Sequence, residues 1–291
     1  MEPVLVACAL PNAITMPFNS LVIFTDLDGT LIQHADYSYN AAKPLLKKLQ
    51  SLAIPLILAS SKTRAEIEVY RKRMDIKDPF IVENGGAVFV PRGYFRSMGH
   101  RAIIKDDYEC LELGKPYTEL VAIFNTLKKR LKLNMIGFHQ MDVAKIMEMT
   151  GLSVEEAARA SQREYDEPFV IVGTDSLVHL ATLKEMAKQQ RCKILKGGRF
   201  YHLIGSSNKG RAVRILTQLY RESYGITKSL GLGDSENDLT LLANVDVPIL
   251  VQKADGSYDP KILEKLPQVM KAPAPGPEGW ALSLTEQLHR L

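Results

Sequence analysis

The sequence predicts an α/β protein in which a doubly wound parallel-sheet core carries an inserted α+β domain. In the first third of the chain, short apolar runs typical of strands buried on both faces alternate with segments of helical apolar spacing. This alternation stops after Gly86 and resumes near Lys209. A chain of 291 residues with 46% hydrophobic content is long enough for such a two-part arrangement.

The first alternating segment contains three predicted strands, at residues 21–24, 54–59 and 80–82. Between them, residues 41–52 and 64–74 carry apolar side chains at the spacing of an amphipathic helix. Strands and helices that alternate at this spacing are typical of right-handed crossovers in a parallel sheet.

The middle of the chain mixes strands and helices without this regular order. Residues 87–90 and 93–95 are predicted to form a hairpin, with Pro91-Arg92-Gly93 at the turn. The other predicted elements of this segment are helices at 117–131, 141–150, 154–162 and 176–188 and strands at 169–172 and 192–195. Such a mixture is α+β in character.

The alternating order then returns at the carboxyl-terminal end. The predicted elements are a helix at 209–224, a strand at 229–232, a helix at 236–243, a strand at 247–251 and a last amphipathic helix that ends at Leu291. We therefore assign 18–92 and 200–291 to the core, 93–199 to the insertion and 1–17 to an amino-terminal extension.

Composition and charge argue against several kinds of partner. The net charge of +4 includes no long basic block, so nucleic acid is not indicated, and neither is an obligatory protein partner. No apolar run approaches the roughly 18 residues of a membrane span. Cys8, Cys110 and Cys192 have no CxxC spacing, which favours free thiols in a reducing cytoplasm. Residues 4–10 are apolar, but no Lys or Arg precedes them, so we expect a leader or a peripheral strand rather than a signal peptide.

Two carboxylates follow the first predicted strand, in the sequence LVIFTDLDGTL. If the chain stays extended, Asp26 and Asp28 point the same way at the carboxyl end of a strand, where ligands bind in open α/β sheets. Two such charges repel each other unless a cation or a shared proton relieves them. A simple polar turn at Asp28-Gly29 would explain the pattern equally well.

A second acidic pair lies in GLGDSEND, between a predicted strand and a predicted helix. Asp234 and Asp238 are four residues apart and fall on one helical face. Helix capping by Asp234 or Ser235 is an alternative for either residue alone. If Asp26, Asp28, Asp234 and Asp238 meet at one sheet edge, a hard, oxygen-seeking cation such as Mg²⁺ would neutralise their charge.

A lysine and two serines complete the set of candidate catalytic residues. Lys209 begins a long predicted helix, where a cation opposes the macrodipole unless an anion such as phosphate binds there; a solvated lysine is the alternative. Ser60 and Ser61 end the second predicted strand, and either could contact phosphate or cap the next helix.

Together these motifs resemble those of the haloacid-dehalogenase-type (HAD) phosphatases with an α+β cap. The matching stretches are DLDGT, the serine at the end of the second strand, NKG and GDSEND. The resemblance implies a HAD-like core, Mg²⁺ as cofactor, Asp26 as nucleophile and Asp28 as acid/base. It also implies that Ser60 and Lys209 contact the phosphoryl group, and that Asp26, Asp28, Asp234 and Asp238 hold the metal.

A narrower resemblance is to the mannosyl-3-phosphoglycerate phosphatase family. It rests on SSKTRAEI, VENGGAVFVPRGYF, GGRFYHLIG and PGPEGW, and it is weaker between residues 101 and 149. It implies removal of phosphate from a phosphorylated glycosyl-glycerate, which gives the compatible solute mannosylglycerate. Glucosyl-3-phosphoglycerate, a broad range of sugar phosphates, or a non-catalytic role on a HAD scaffold are the alternatives, and the last usually lacks a catalytic acid or the lysine.

Such a substrate carries a carboxylate and a hexose as well as a phosphate. Arg199 is the candidate for the carboxylate, because a guanidinium binds it in bidentate fashion. Glu83 and Asn84 are expected to bind sugar hydroxyls or to hold the hinge of the cap. The other candidate substrate-binding residues are Lys62, His202 and Asn237. Glu164 and Tyr165 either face the site or pack, and Trp280 is expected mainly to pack the tail onto the core.

Overall fold

The computed structural model describes residues 20–99, 101–173, 176–197 and 199–290, so the predicted extension 1–17 lies outside the described residues. Two sheets organise this part of the chain, one of nine strands and one of four. Among the described residues, no helix is long and apolar enough to cross a lipid bilayer.

The nine-stranded sheet forms the core, and six of its neighbouring strands run parallel. Its strand order is β13-β12-β11-β1-β2-β3-β4-β6-β5. The strands are β1 (Leu21–Thr25), β2 (Leu56–Ala59), β3 (Phe80–Val82), β4 (Ala87–Pro91), β5 (Ile103–Lys105), β6 (Tyr108–Glu112), β11 (Lys228–Gly233), β12 (Val247–Gln252) and β13 (Met270–Pro275). Strands from β13 to β3 in that order are parallel, and β4, β6 and β5 are antiparallel additions.

Helices cover both faces of this sheet, as expected for a doubly wound fold. One face packs against α1 (Lys43–Ser51), α2 (Arg64–Arg73) and α10 (Gly276–His289), and the other against α7 (Lys209–Tyr224), α8 (Leu239–Leu242) and α9 (Pro260–Lys265). Successive residues of β1 alternate between the two apolar clusters, with Leu21 and Ile23 in one and Val22 and Phe24 in the other. This explains why the strand is continuously apolar.

The four-stranded sheet is antiparallel in the order β7-β8-β10-β9. We call this sheet together with its helices the cap. The elements of the cap are β7 (Met135–Gly137), β8 (Asp166–Ile171), β9 (Cys192–Lys196), β10 (Tyr201–Gly205), α3 (Tyr117–Leu131), α4 (Val143–Thr150), α5 (Val154–Ala160) and α6 (Ser176–Gln189). Helices α3 and α6 pack on one face through an apolar cluster that includes Phe124 and Phe169.

The predicted hairpin at 87–90 and 93–95 is wrong. β4 pairs with β3 and with β6, not with the residues that follow it. Phe95 is buried against the ring of Tyr220 in α7, with a centroid distance of 5.0 Å. The hairpin is instead formed by β5 and β6, with Asp106, whose φ is +50°, at its turn. The apolar side chains of residues 93–95 therefore serve packing onto a helix.

The division between the sheets differs from the predicted boundaries of the insertion. Because β6 pairs with β4, the core sheet continues to Glu112, and because β10 pairs with β8 and β9, the cap sheet extends to Gly205. The predicted elements also do not include β5, β6, β7, β10, α9 and β13. β13 carries Pro273 and Pro275, which a sheet accepts at its edge, where no further strand needs their amide hydrogens.

Candidate active site

Two adjacent parallel strands deliver the central carboxylates. β1 and β11 pair in register, with Thr25 opposite Leu232. Asp26 follows the first strand and donates its amide hydrogen to the carbonyl of Leu232, and Asp234 follows the second. Both residues therefore lie at the carboxyl edge of the sheet, where open α/β folds bind ligands.

A buried charge cluster forms at this edge. Lys209 Nζ donates to Asp26 Oδ1 and to Asp238 Oδ1, each at 2.6 Å. Oxygen atoms of Asp26, Asp234 and Asp238 lie within 4.8 Å of one another. Relative exposure is 4%, 4% and 0% for these three acids and 1% for Lys209, so bulk water screens the charges poorly.

The loop after β11 turns Asp238 back toward the sheet. Its Oδ2 accepts the amide hydrogens of Asp234 and Ser235, at 3.2 and 3.3 Å, while its Oδ1 faces Lys209. A Cβ at Gly233 would lie 2.4 Å from the Cβ of Asp238, so only glycine permits this approach. Asp238 thus orders the loop that holds Asp234.

The cluster carries more negative than positive charge. Burial raises the pKa of Asp26 well above its usual range, and the nearby carboxylate of Asp238 raises it further, against the opposing effect of Lys209. Burial alone would lower the pKa of Lys209, but Asp238 and Asp26 raise it above its ordinary value. Three carboxylates beside one ammonium group fit a hard divalent cation, whose charge would balance theirs.

Asp28 lies at the same edge but has a different partner. Its Oδ1 is 3.0 Å from Lys62 Nζ, and the Asp28 side chain keeps 24% of its surface exposed. The ammonium group of Lys62 also lies over the rings of Tyr37 and Tyr70, at 5.2 and 5.7 Å from their centroids. Burial alone would lower the pKa of Lys62, but Asp28 and Glu66 raise it. One acid of the DLD motif is therefore buried in the charge cluster, and the other faces the opening.

Neither Ser60 nor Ser61 caps the helix that follows them. Thr63, not Ser60 or Ser61, is the N-cap of α2, and its hydroxyl and amide form a capping box with Glu66. Ser60 is fully buried and accepts the amide hydrogen of Lys62 at 3.2 Å. Ser61 lines the cavity described below.

A cavity of about 820 Å³ lies between this edge and the cap. The predicted site residues that line it are Asp26, Asp28, Ser61, Asn84, His202, Asp234 and Asn237. Arg199 does not line it, because its guanidinium contacts the carbonyls of Met149 and Thr150 at the end of α4. The structure thus brings about half of the predicted residues to the wall of one cavity, and the lining does not include Ser60, Lys62, Glu83, Lys209 or Asp238.

Glu83 connects the core to the cap rather than facing the cavity. Its two carboxylate oxygens accept the amide hydrogens of Glu164 and Tyr165, each at 2.9 Å. The backbone at Glu83 and Asn84 has φ values of +45° and +58°, which non-glycine residues rarely adopt. Burial, with a contribution from Asp166 against that of Arg163, raises the pKa of Glu83 to about 8. Of the two roles expected for Glu83, these contacts favour the hinge.

The other aromatic candidates pack. Tyr165 is 1% exposed, and its hydroxyl bonds to Glu112 and Lys105 in the antiparallel part of the core sheet. Trp280 is fully buried and donates to the hydroxyl of Thr25, the residue before Asp26. The tail therefore supports the strand that presents the first carboxylate.

Sequence reasoning missed several residues of the cavity wall. His34 Nε2 is 3.7 Å from Asp234 Oδ2, and the interaction with that carboxylate raises the pKa of His34. Lys184 and Lys196 line the cavity from the cap. None of the three belongs to a recognisable motif. Lys184 falls in a predicted helix and Lys196 directly follows a predicted strand, but no signal in the sequence indicated that these elements face the core.

Comparisons with known proteins agree with this geometry. The haloacid dehalogenase-like hydrolase family matches residues 23–261. A glucosyl-3-phosphoglycerate/mannosyl-3-phosphoglycerate phosphatase of Persephonella marina is 41% identical over 273 residues, covering 93% of this chain and 98% of that protein. A protein of the same name from Methanococcoides burtonii is 41% identical over 259 residues, covering 89% and 94%. A crystal structure from Thermoplasma acidophilum matches with a TM-score of 0.63 at 17% identity, covering 92% of this chain and 97% of that one.

Proposed function

Since the chain belongs to the haloacid dehalogenase-like hydrolase family, we propose that it is a Mg²⁺-dependent phosphatase that releases phosphate from a glycosyl-3-phosphoglycerate. The names of the two relatives that are 41% identical support this substrate. The observation that carries the activity is the buried cluster of Asp26, Asp234, Asp238 and Lys209, in which Asp26 and Asp234 line a large cavity. The proposal covers the mannosyl and the glucosyl substrate, because those names include both.

The proposed reaction has two steps, and a carboxylate acts in each. Asp26 attacks phosphorus and forms an aspartyl-phosphate while the glycerate oxygen departs. Asp28, exposed toward the opening, gives that oxygen a proton and then removes one from the water that hydrolyses the intermediate. Lys62 holds the carboxylate of Asp28 at 3.0 Å, so we assign it to positioning Asp28 rather than to the substrate.

Positive charge near the phosphoryl oxygens stabilises the transition state. Asp26, Asp234 and the backbone carbonyl of Asp28, with Asp238 in support, would hold Mg²⁺, which supplies such charge when bound. Lys209 supplies another charge from its position between Asp26 and Asp238. Ser60, at the end of β2, is proposed to donate its hydroxyl hydrogen to the phosphoryl group.

The cap contributes charge for the carboxylate of the glycerate. Lys184 and Lys196 line the cavity on the cap side, opposite the acidic cluster. Arg199, the residue expected from the sequence, is bound to carbonyls outside the cavity lining. We therefore assign carboxylate recognition to the two lysines.

The compartment is a smaller part of the proposal. Cys110 and Cys192 are buried free thiols, which suits a reducing cytoplasm.

Phosphate release with and without Mg²⁺ tests the function. The substrates are mannosyl-3-phosphoglycerate, glucosyl-3-phosphoglycerate, 3-phosphoglycerate, glucose 6-phosphate and p-nitrophenyl phosphate. We expect Mg²⁺-dependent release with a strong preference for the first two. Equal and slow release from all five would contradict the substrate, and no release would contradict the activity.

A further inference from the structure

Asp166, a cap residue outside every motif, links the core to the cavity wall. It begins β8 and is fully buried. Its Oδ2 lies 2.8 Å from His202 Nδ1 and accepts a hydrogen bond from Asn84 Nδ2 at 3.2 Å. One carboxylate oxygen thus binds a histidine of the cap and an asparagine of the core.

The strand register places Asp166 and His202 on one face of the cap sheet. β8 and β10 are antiparallel, with Asp166 opposite Ile204 and Pro168 opposite His202. Residues two apart on a strand share a face, so both side chains lie on the face opposite to the one that Phe169 buries under α3 and α6. That face is turned toward the core, since His202 and Asn84 line the cavity.

Asn84 and His202 line the cavity, Asp166 lies outside its lining, and the group contains polar atoms without partners in the described part of the chain. Asn84 Oδ1 and Asp166 Oδ1 are buried acceptors without a hydrogen-bond partner among the described residues. His202 Nε2 lies beside Gly197, also in the cavity wall, where an added Cβ would be only 2.7 Å away. Buried acceptors of this kind require a donor, and unmade bonds are costly.

We propose that Asp166 is a positioning residue that orients Asn84 and His202 as a hydroxyl-binding edge for the glycosyl part of the substrate. Carboxylate and amide oxygens accept hydrogen bonds from sugar hydroxyls, and they repel the anionic phosphoglycerate part. That part is proposed to bind to Lys209 and the metal that the acidic cluster would hold, and to the two lysines of the cap. The inference rests on the proposed function, because only a substrate with a sugar beyond its phosphate would reach this edge.

The test is Asp166→Asn, a change of nearly equal shape. In one orientation of the new side chain, its NH₂ group faces the donors of Asn84 and His202. In the other orientation, the NH₂ group takes the place of Oδ1, the acceptor that has no partner within the described ranges. We expect kcat/KM for glycosyl-3-phosphoglycerates to fall about 10- to 100-fold. Activity on p-nitrophenyl phosphate and inhibition by inorganic phosphate should change less than about threefold, since neither ligand reaches the edge.

A neighbouring pair supplies the matched control. Glu167 is also fully buried, and its Oε1 lies 2.6 Å from His139 Nδ1, but it points to the other face of β8 and does not line the cavity. Glu167→Gln removes a comparable buried carboxylate–histidine pair. It should alter thermal stability without changing the ratio of the activities on the two substrates. Asn84→Asp and His202→Gln should each reproduce part of the Asp166→Asn selectivity loss.

The outcomes separate the inference from the function. Equal loss on both substrates, or an Asp166→Asn enzyme with wild-type preference, would overturn the inference. If wild-type enzyme ignores glycosyl-3-phosphoglycerates but cleaves p-nitrophenyl phosphate, the proposed function fails. Glucose 6-phosphate then replaces the glycosyl substrate, and an Asp166→Asn effect that is no larger on it than on p-nitrophenyl phosphate would overturn the hydroxyl-binding edge.

Discussion

The two walls of the cavity hold their polar residues in different ways. On the core side, Asp26, Asp234, Asp238 and Lys209 are at most 4% exposed and bond to one another. On the cap side, Lys184 and Lys196 are exposed, and the buried acid Asp166 bonds to residues of both walls. A rigid cluster suits a fixed chemical step, and a wall of separate groups suits recognition of a leaving group that differs between substrates.

The physical origin of the difference is strand pairing. Neighbouring parallel strands bring their carboxyl ends to the same edge of the sheet. The two short motifs that follow β1 and β11 therefore meet there, although they are far apart in the sequence. In the antiparallel cap, neighbouring strands run in opposite directions, so residues that share a face do not collect at one edge through their position at a strand end. Core substitutions should therefore affect all substrates alike, whereas cap substitutions should affect them unequally.

The largest expected effect comes from replacing Asp26, the proposed nucleophile. Asp26→Asn should lower kcat by about 10⁴-fold or more on every substrate, with no loss of folding, because an amide does not form the aspartyl-phosphate. Steady-state rates together with circular dichroism check this. Asp36→Asn, at an exposed loop, is the control and should match the wild type. Activity within tenfold of wild type would remove Asp26 from the reaction.

Lys209→Met tests how far the core cluster depends on its single cation. We expect kcat to fall by about 10² to 10³-fold. In the absence of metal, the free energy of unfolding should fall by about 3–5 kcal/mol, because the buried carboxylates of Asp26 and Asp238 lose their partner. Urea denaturation in EDTA measures this change, and saturating Mg²⁺ should restore part of it.

Lys43→Met is the matched control, since Lys43 also begins a helix but is exposed. It should leave both quantities nearly unchanged. A Lys209→Met protein as stable as the control variant would contradict a charge cluster that needs a cation.

Glu83, at the hinge between the core and the cap, should make the stability of the protein depend on pH. The folded protein raises the pKa of Glu83 from 4.5 to about 8, mainly by burial, so its protonated form is favoured on folding. The stability from this shift is fully present below about pH 4.5 and is lost as the pH rises through about 8. Urea denaturation of wild type and Glu83→Gln between these values should give a steeper fall for the wild type, by a few kcal/mol in total.

The exposed carboxylate Glu148 offers a control for this slope. Glu148→Gln should follow the wild type at every pH. Parallel curves for wild type and Glu83→Gln would mean that Glu83 stays ionised in the folded protein.

The smallest effects are expected at the exposed lysines of the cap. Lys196→Ala should raise KM for glycosyl-3-phosphoglycerates about two- to fivefold with little change in kcat, because an exposed ion pair contributes little. Arg199→Ala should change KM by less than that. Steady-state kinetics on both variants check this order, and a larger effect of Arg199→Ala would restore the carboxylate role that the sequence suggested for it.

The sequence predicts the residues of the core wall better than those of the cap wall. Asp26 and Asp234 could be placed together because each follows a strand of the parallel sheet, and the motifs added Asp238 and Lys209 to them. Only the structure shows that the carboxylate of Asp238 turns back to accept the amide hydrogens of Asp234 and Ser235. The N-cap of α2 is Thr63 rather than Ser60 or Ser61, because Thr63 and Glu66 accept hydrogen bonds from each other's backbone amides.

The sequence predicts the α+β character of the cap but not which of its residues line the cavity. Asp166 belongs to no motif, and its importance depends on the register between β8 and β10 and on a contact with Asn84 across the hinge. Similarly, the predicted hairpin after Ala87 failed because β4 takes β6 as its neighbour, a pairing set by the rest of the sheet. Non-local pairing of this kind leaves no local pattern.

The most direct test of the core's role is to trap the intermediate. Asp28→Asn enzyme with p-nitrophenyl phosphate, whose leaving group needs no proton, should form the aspartyl-phosphate normally but hydrolyse it slowly. Acid quenching followed by peptide mass spectrometry should find one phosphoryl group on Asp26. A phosphoryl group on another residue, or a burst of p-nitrophenol with Asp26 unmodified, would contradict the account.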